Sequence, residues 1–460
     1  MAESLGRPRL WVIGVAAFLG GLAADGAGVR AQSLTDAQVG AYQTNPGLGA
    51  ARAQLRVVNE GVPQELGGAR PSVTLSGSAG VGREFGDDDG VTHPKRLSLD
   101  LAQPLYRGGR TVAGIARAEN EVLAQRARLR ASEQQVLLAA TTAYMDVWRD
   151  QATVDFNLNN ERVLEQQLDA SRTRQASGDI TRTDVAQAAS RLAGATAARQ
   201  AAEGQLRTSR AVFVEVVGFA PGAKLTLPPP LPPPASLEEA LAAARTDNPE
   251  VVAAGYSERA AERTVRQAEG EFYPDVSVVG SLVRERGVSD TTEDSSGAQV
   301  VLQVRVPIYH AGVISSRVRA AKQQDGQRRL EQDLALRAAE RAAEAAWESL
   351  ETARVRIASL GTQVETARSS LAGVREESLG GVRTTLDVLN AEEELLQAEI
   401  RLAAARRDEV VAAYQLVSAV GRLDAQELAL PVDVYDPTVD YDAVRGRWFG
   451  TDAPGLTPAR

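Results

Sequence analysis

The chain repeats itself without a gap. "LTDAQVGAYQTNP", from Leu34 to Pro46, lies over "LEEALAAARTDNP", from Leu237 to Pro249, at an offset of 203 positions. The same offset carries Pro71 onto Pro274, Leu99 onto Leu302, Pro104 onto Pro307, Tyr106 onto Tyr309 and Gly109 onto Gly312. It still carries Gly178 onto Gly381, Thr181 onto Thr384, Asp184 onto Asp387 and Val217-Gly218 onto Val420-Gly421. Prolines and glycines fix backbone geometry, and here they keep step over most of each half, so one structural plan is used twice.

Between the halves runs "LPPPLPPPAS", Leu227 to Ser236, a stiff extended connector by composition. A proline-rich ligand for a partner domain is the other reading of that stretch. The organisation expected is a leader over 1–31, a first repeat over 32–226, the linker over 227–236, a second repeat over 237–430 and a tail over 431–460.

Each half reads alike. A helical segment from Leu34 to about Ala69 stops at Pro71. "SVTLSGSAGVGREF" then alternates, with Val73, Leu75, Ala79, Val81 and Phe85 on one face and Ser72, Thr74, Ser76, Ser78 and Glu84 on the other. After the polar turn "GDDDGVTHP", Leu97, Leu99 and Leu101 alternate with Ser98 and Asp100. In the second half, Val276, Val278 and Leu282 share a face, and Val300, Leu302, Val304 and Val306 oppose Gln299, Gln303 and Arg305. Each half therefore holds one hairpin of roughly ten-residue strands, apolar on one face. The strands are expected over about 72–85, 96–104, 275–286 and 297–306.

Long helices follow, expected over about 107–176 and 179–218 and again over 310–378 and 382–420. No proline interrupts Arg107 to Ala176, and seventy helical residues would run ~105 Å. Apolar residues recur every seventh position at Ile115, Val122, Leu129, Val136 and Ala143. Val185, Leu192, Leu206 and Phe213 keep the same spacing, as do Leu389, Leu396, Ala403, Val410 and Val417. Helices of this length cannot form a globule alone, so they must pack against other helices, including those of other chains.

Composition narrows the function. There is no Cys, which excludes disulfides, thiolate metal sites and a lipid-bearing Cys. His93 and His310 are the only histidines, and neither has a ligand cluster around it in the sequence. A net charge of −9 argues against nucleic acid as a partner. No nucleophile–base pair, phosphate loop or cofactor motif is present, so no catalytic, cofactor-binding or metal residues are expected and the chain is not read as an enzyme. Arg7 and Arg9 precede "LWVIGVAAFLGGLAA" and "GVRAQS", the form of an export leader cleaved after Ala31; the apolar run falls short of the ~20 residues a helical span needs.

An exported chain with no other apolar run must cross a membrane as strands, if it crosses at all. Alternating ten-residue strands with polar turns are the pattern of a membrane β-barrel. Four strands cannot close one, and open edges are not tolerated in lipid. The chain must therefore oligomerise.

These features together resemble the TolC family of outer-membrane efflux proteins. The residues that carry the resemblance are "QPLYRGG" and "VPIYHAG" at the strand-to-helix junctions, and "GDITRTDVAQA" and "GGVRTTLDVLNAEEEL" at the helical turns. It spans the mature chain from Leu34 to the "YDP…VRGRWFG" tail. The resemblance implies an α+β membrane fold: a homotrimer with a twelve-stranded barrel in outer-membrane lipid, a long α-helical barrel across the periplasm, and an equatorial collar of helix ends and tail. It implies an exit duct for an inner-membrane pump of ABC or RND type, joined through a periplasmic adaptor. The missing lipidated Cys resembles the branch paired with type I protein secretion as well as drug export. A structural or adhesive periplasm-spanning coiled coil with a small β anchor is the alternative.

Gly178, Gly380 and Gly381 fall at the tips of the helical hairpins, and Pro71, Pro104, Pro274 and Pro307 at the junctions of strand and helix. In the family, the tips are held nearly shut by bonds from a second-repeat Arg to a first-repeat Thr-Asp, and an acid just after the Arg forms a ring. By resemblance these are Arg383, Thr183, Asp184 and Asp387. A charge-assisted bond of this kind is strong for its size, yet an adaptor could displace it. Two departures loosen the expected closure: Asn390 stands where some members have a second acid, and Ser378 where some have Tyr. Read without the family, Arg383 and Asp387 are an i,i+4 pair on a helix face. The loops "GDDDG" and "DTTEDSS" read as solvated acidic turns. Tyr106, Tyr273 and Tyr309 read either as interfacial aromatics or as collar packing.

Overall fold

The computed structural model describes residues 33–84, 90–229, 231–287 and 294–453. The leader, Phe85, most of both acidic loops and the last seven residues of the tail lie outside the described residues. The first repeat runs α1 (Leu34–Thr44), α2 (Pro46–Asn59), α3 (Gly61–Gly67), β1 (Ser72–Ala79), β2 (Gly82–Glu84), β3 (Gly90–Thr92), β4 (Lys95–Arg107), α4 (Arg110–Ala176) and α5 (Arg182–Val217). The second runs α6 (Leu237–Asp247), α7 (Pro249–Glu269), β5 (Asp275–Arg286), β6 (Ser295–Arg305), α8 (Val313–Leu379) and α9 (Thr385–Ala419), with α10 (Pro437–Arg445) in the tail. Helices α4 and α8 have 67 residues each, about 100 Å, and start and stop at counterpart positions.

The opening helix is not continuous. Asn45 caps α2 by accepting from the Gly47 N–H at 2.9 Å, with Pro46 at the first helical position; Asn248 repeats this for α7, accepting from Glu250 N–H at 3.0 Å. "TNP" and "DNP" are thus corners, and they fold α1 and α6 back beside the long helices.

The four main strands form one antiparallel sheet in the order β1-β4-β5-β6, so the two repeats join at β4–β5. One face carries rows of apolar residues, Leu75–Leu99–Leu282 and Val73–Leu101–Gly280–Val300, all in register. These apolar side chains are exposed on the isolated chain. The other face carries Thr74–Asp100–Ser281–Gln299, with Ser76 and Ser98 hydroxyls 3.0 Å apart and Arg96 bonded to Glu285 at 3.2 Å.

Two strand limits differ from the sequence reading. The first strand stops at Ala79, because its partner begins only after Pro94, which has no N–H for the ladder; the Pro94 carbonyl accepts instead from Gly80 N–H at 2.9 Å. Gly82–Glu84 then pairs separately with Gly90–Thr92. The second strand runs past Pro104 to Arg107, with a register shift between Pro104 and Tyr106 that absorbs the proline.

In the helical layer, α5 packs on α4, α4 on α9, and α9 on α8, while α7 lies across both α4 and α8. The main core surrounds Leu137, Tyr144, Met145, Phe213 and Tyr414, all buried, where α1 meets the long hairpins. The seven-residue seam residues Leu129, Ala143, Leu206, Phe213 and Val410 fall in this core. The tail is stitched on by the Arg52 guanidinium, which sits 4.7 Å from the Tyr42 ring and 5.2 Å from the Tyr435 ring.

Candidate functional site

Each long hairpin reverses through the same two motifs. At the end of α4, Gly178 N–H donates to Gln175 O at 3.0 Å and Asp179 N–H to Arg174 O at 2.9 Å. At the end of α8, Gly381 N–H donates to Ser378 O at 3.2 Å and Val382 N–H to Glu377 O at 2.9 Å. This paired pattern closes a helix on a left-handed residue, and Gly178 and Gly381 have φ of 84° and 76°. Gly380, by contrast, is right-handed, so the reversal depends on the second glycine of the pair.

The returning helices start with reciprocal caps. The Thr181 hydroxyl accepts from Asp184 N–H at 3.3 Å, and Asp184 Oδ2 accepts from Thr181 N–H at 2.9 Å and from its hydroxyl at 2.8 Å. Thr384 and Asp387 make the same three bonds at 3.2, 2.9 and 2.8 Å. Both carboxyls are held below the usual Asp range, first by the backbone donor and then by the threonine hydroxyl, with a smaller contribution from Arg174 or Arg383.

Arg383 reaches back across its own turn. Its Nε donates to Glu377 Oε2 at 2.9 Å, with both side chains half-exposed, and Nη1 and Nη2 make no hydrogen bond among the described residues. Within one chain Arg383 therefore bonds neither Thr183 nor Asp184, and Asp387 is held by Thr384 rather than by Arg383. Thr183 is exposed on the first turn of α5. Beside these polar groups, Leu379 and Val382 are 84% and 78% exposed, whereas the first tip has Ala176 and Asp179 at the counterpart positions.

The two hairpins meet just above the tips. Leu389 packs into Leu164, Leu192 and Ala195, and Arg191 Nη2 donates to Asn390 Oδ1 at 2.9 Å. Asn390 thus has a partner that the sequence reading missed; Arg191 carried no signal, being one of many helical arginines. Thr-x-x-Asp before each returning helix was a visible signal for the caps. At the other end, Pro71 and Pro274 precede β1 and β5 and Pro307 follows β6, whereas Pro104, expected at a junction, lies inside β4 near its end.

The sequence profile of the outer membrane efflux protein family matches residues 39–218 and again 240–422, once for each repeat. The outer membrane efflux protein BepC of Brucella suis is 35% identical over 444 residues, covering 96% of this chain and 97% of that one. The outer membrane protein TolC of Vibrio cholerae is 24% identical over 452 residues, covering 91% and 97%. The CmeC outer membrane channel of Campylobacter jejuni has the same fold, with a TM-score of 0.78 at 14% identity over 95% of this chain and 98% of that one. Matched along both repeats and over nearly its whole length, the chain belongs to the outer membrane efflux protein family, channels that sit in the outer membrane and extend into the periplasm.

Proposed function

We propose that three copies close into one tube, which serves as the exit duct of a tripartite efflux or type I secretion system and is gated at the helical tips. The observation that carries this reading is the pair of open flanks. Strand β1 runs antiparallel to β6, the direction that β6 needs in its next neighbour, so copies would join head to tail into a continuous antiparallel barrel. Helices α5 and α8 are left as the matching flanks of the helical layer. Three copies supply twelve strands, above the minimum of eight, with the apolar rows turned to lipid and the serine-rich face turned inward.

At the periplasmic end the free Nη1 and Nη2 of Arg383 are the donors that would cross to Thr183 and Asp184 when copies assemble. Such a contact would compete with the Glu377 bond, and it offers a closed state that a partner can release. The exposed Leu379 and Val382 suit an apolar adaptor surface. The energy for transport would come from the inner-membrane pump.

The test is single-channel conductance in planar bilayers, wild type beside Arg383→Ser. A small wild-type conductance that rises several-fold in the variant is the expected result. Equal conductance would remove Arg383 from the gate, and no conductance from either protein would favour a structural coiled coil.

A further inference from the structure

The tail meets the foot of the sheet on a built turn. Helix α10 packs on α2 and α3, and the residues after it lead to Arg70, three residues and about 10 Å of chain before Val73 on the apolar face. Arg70 Nη1 donates to the Arg447 carbonyl at 2.7 Å, and its guanidinium lies 4.6 Å from the Trp448 ring. Arg447 then holds its own turn. Its Nε donates to the Phe449 carbonyl at 3.1 Å and its Nη1 to the Asp452 carbonyl at 2.8 Å, around Gly450 with a φ of 104°. A Cβ at Gly450 would meet Arg447 Nη2 at 2.8 Å, so the turn needs that glycine.

The turn presents its rings to the outside. Trp448 and Phe449 are 57% and 86% exposed, with ring centroids 6.5 Å apart. Two cations without acids stand at the same level. Arg70 lies in the segment that enters β1, and Arg107 Nη1 donates to the Gly68 carbonyl of that segment at 3.3 Å. Neither guanidinium has a carboxylate in salt-bridge range among the described residues. Asp275, opposite Arg107 in the ladder, is taken by Arg110. The second repeat keeps an aromatic at this level, because the offset carries Arg70 onto Tyr273, itself 56% exposed. Exposed rings beside unneutralised arginines, at the border of an apolar band, suit the headgroup layer of a membrane: indole and phenyl rings favour the interface, and guanidinium pairs with phosphate. With no cysteine in the chain to carry a lipid, any anchor outside the strands has to come from such side chains.

We propose that Trp448, Phe449, Arg70 and Arg107 form a docking site for anionic phospholipid of the periplasmic leaflet, with the rings among the headgroups and the two guanidiniums on lipid phosphate. Each copy carries one such site at the foot of its sheet, and the tail is a membrane contact separate from the strands. This rests on the reading of the sheet as membrane-spanning. The natural absence of cysteine lets a single nitroxide be placed at will. Phe449→Cys reports on the tail, Val300→Cys on the apolar sheet face, and Val382→Cys on the helical tip. Each full-length protein is reconstituted into phosphatidylcholine vesicles with or without phosphatidylglycerol. Collision of the label with oxygen and with a water-soluble nickel chelate is then measured.

With phosphatidylglycerol present, the oxygen-to-nickel ratio at Phe449→Cys is expected to lie several-fold above that at the tip and below that at Val300→Cys. Removing phosphatidylglycerol, or adding Arg70→Gln, should bring the Phe449→Cys ratio down toward the tip value and leave Val300→Cys unchanged. The lipid comparison keeps Arg70 in place, so it decides the matter even where Arg70→Gln disturbs the tail. If Val300→Cys reports water, the sheet reading fails and the proposal with it. If Val300→Cys reports lipid while Phe449→Cys matches the tip, the tail stands in water and the proposal alone falls. A Phe449→Cys label that neither reagent reaches is covered by a neighbouring copy, which also overturns it. A high ratio that is the same in both lipids overturns the contact with anionic headgroups.

Discussion

At the scale of the residue, the tips hold two copies of one solution to a steric problem. A helix that must reverse within five residues leaves carbonyls unpaired at its end and N–H groups unpaired at its successor's start. Gly178 and Gly381 close the first set, and Thr181–Asp184 and Thr384–Asp387 close the second. The acids therefore have a structural duty whether or not they also line a bore. Because their folded pKa values lie below those of an unfolded chain, this contribution is complete above the ordinary Asp pKa of about 3.9 and is lost as pH falls through the lower folded value. A nitroxide on Val382→Cys should keep a constant, restrained spectrum from about pH 7 to about pH 4 and gain mobility below it. A tip already mobile at pH 5 would contradict this account of the caps. The cap was legible in Thr-x-x-Asp, as were the left-handed glycines. The Arg383–Glu377 bond was not, since a six-residue reach across a turn depends on the path of the turn and has no fixed spacing in sequence.

At the scale of the element, periodicity told more than propensity. The seven-residue apolar series named Leu129, Ala143, Leu206 and Phe213, and all four are buried in the core where the hairpins meet α1. Phe213 has no exposed surface, so Phe213→Ala should destabilise the helical layer by about 3–5 kcal/mol, read as an earlier midpoint in chemical denaturation. A shift of under about 1 kcal/mol would mean that the surrounding helices relax around the cavity. Helix breaks and strand ends were harder to read. Asn45-Pro46 lies inside a continuous helical pattern, and only its caps show that the chain turns a corner there. Ala79 ends its strand because Pro94 sits opposite, a cross-strand cause that no local pattern contains. The α10 helix, capped by Asp436 accepting from Thr438 N–H at 2.8 Å, lies in the tail, for which the sequence reading named no element.

At the scale of the whole molecule, duplication decides the architecture. A single chain ends in two unpaired strand edges, two unpaired helix flanks and a sheet face of exposed Val and Leu side chains. The open edges and flanks are not stable alone in lipid or water; the proposed head-to-tail contact, repeated around an axis, would cover them and leave the apolar sheet face to the lipid. The offset of 203 is what suggests that closure from the sequence, because on the proposed ring the chain already contains one of its junctions. The proposed number of copies rests less directly on strand count and on family resemblance. Native mass spectrometry of the protein released from detergent micelles is the most direct test of the central claim. A complex of three chains, held together until the micelle is stripped, is the predicted result. A monomer, or a dimer with eight strands, would contradict it.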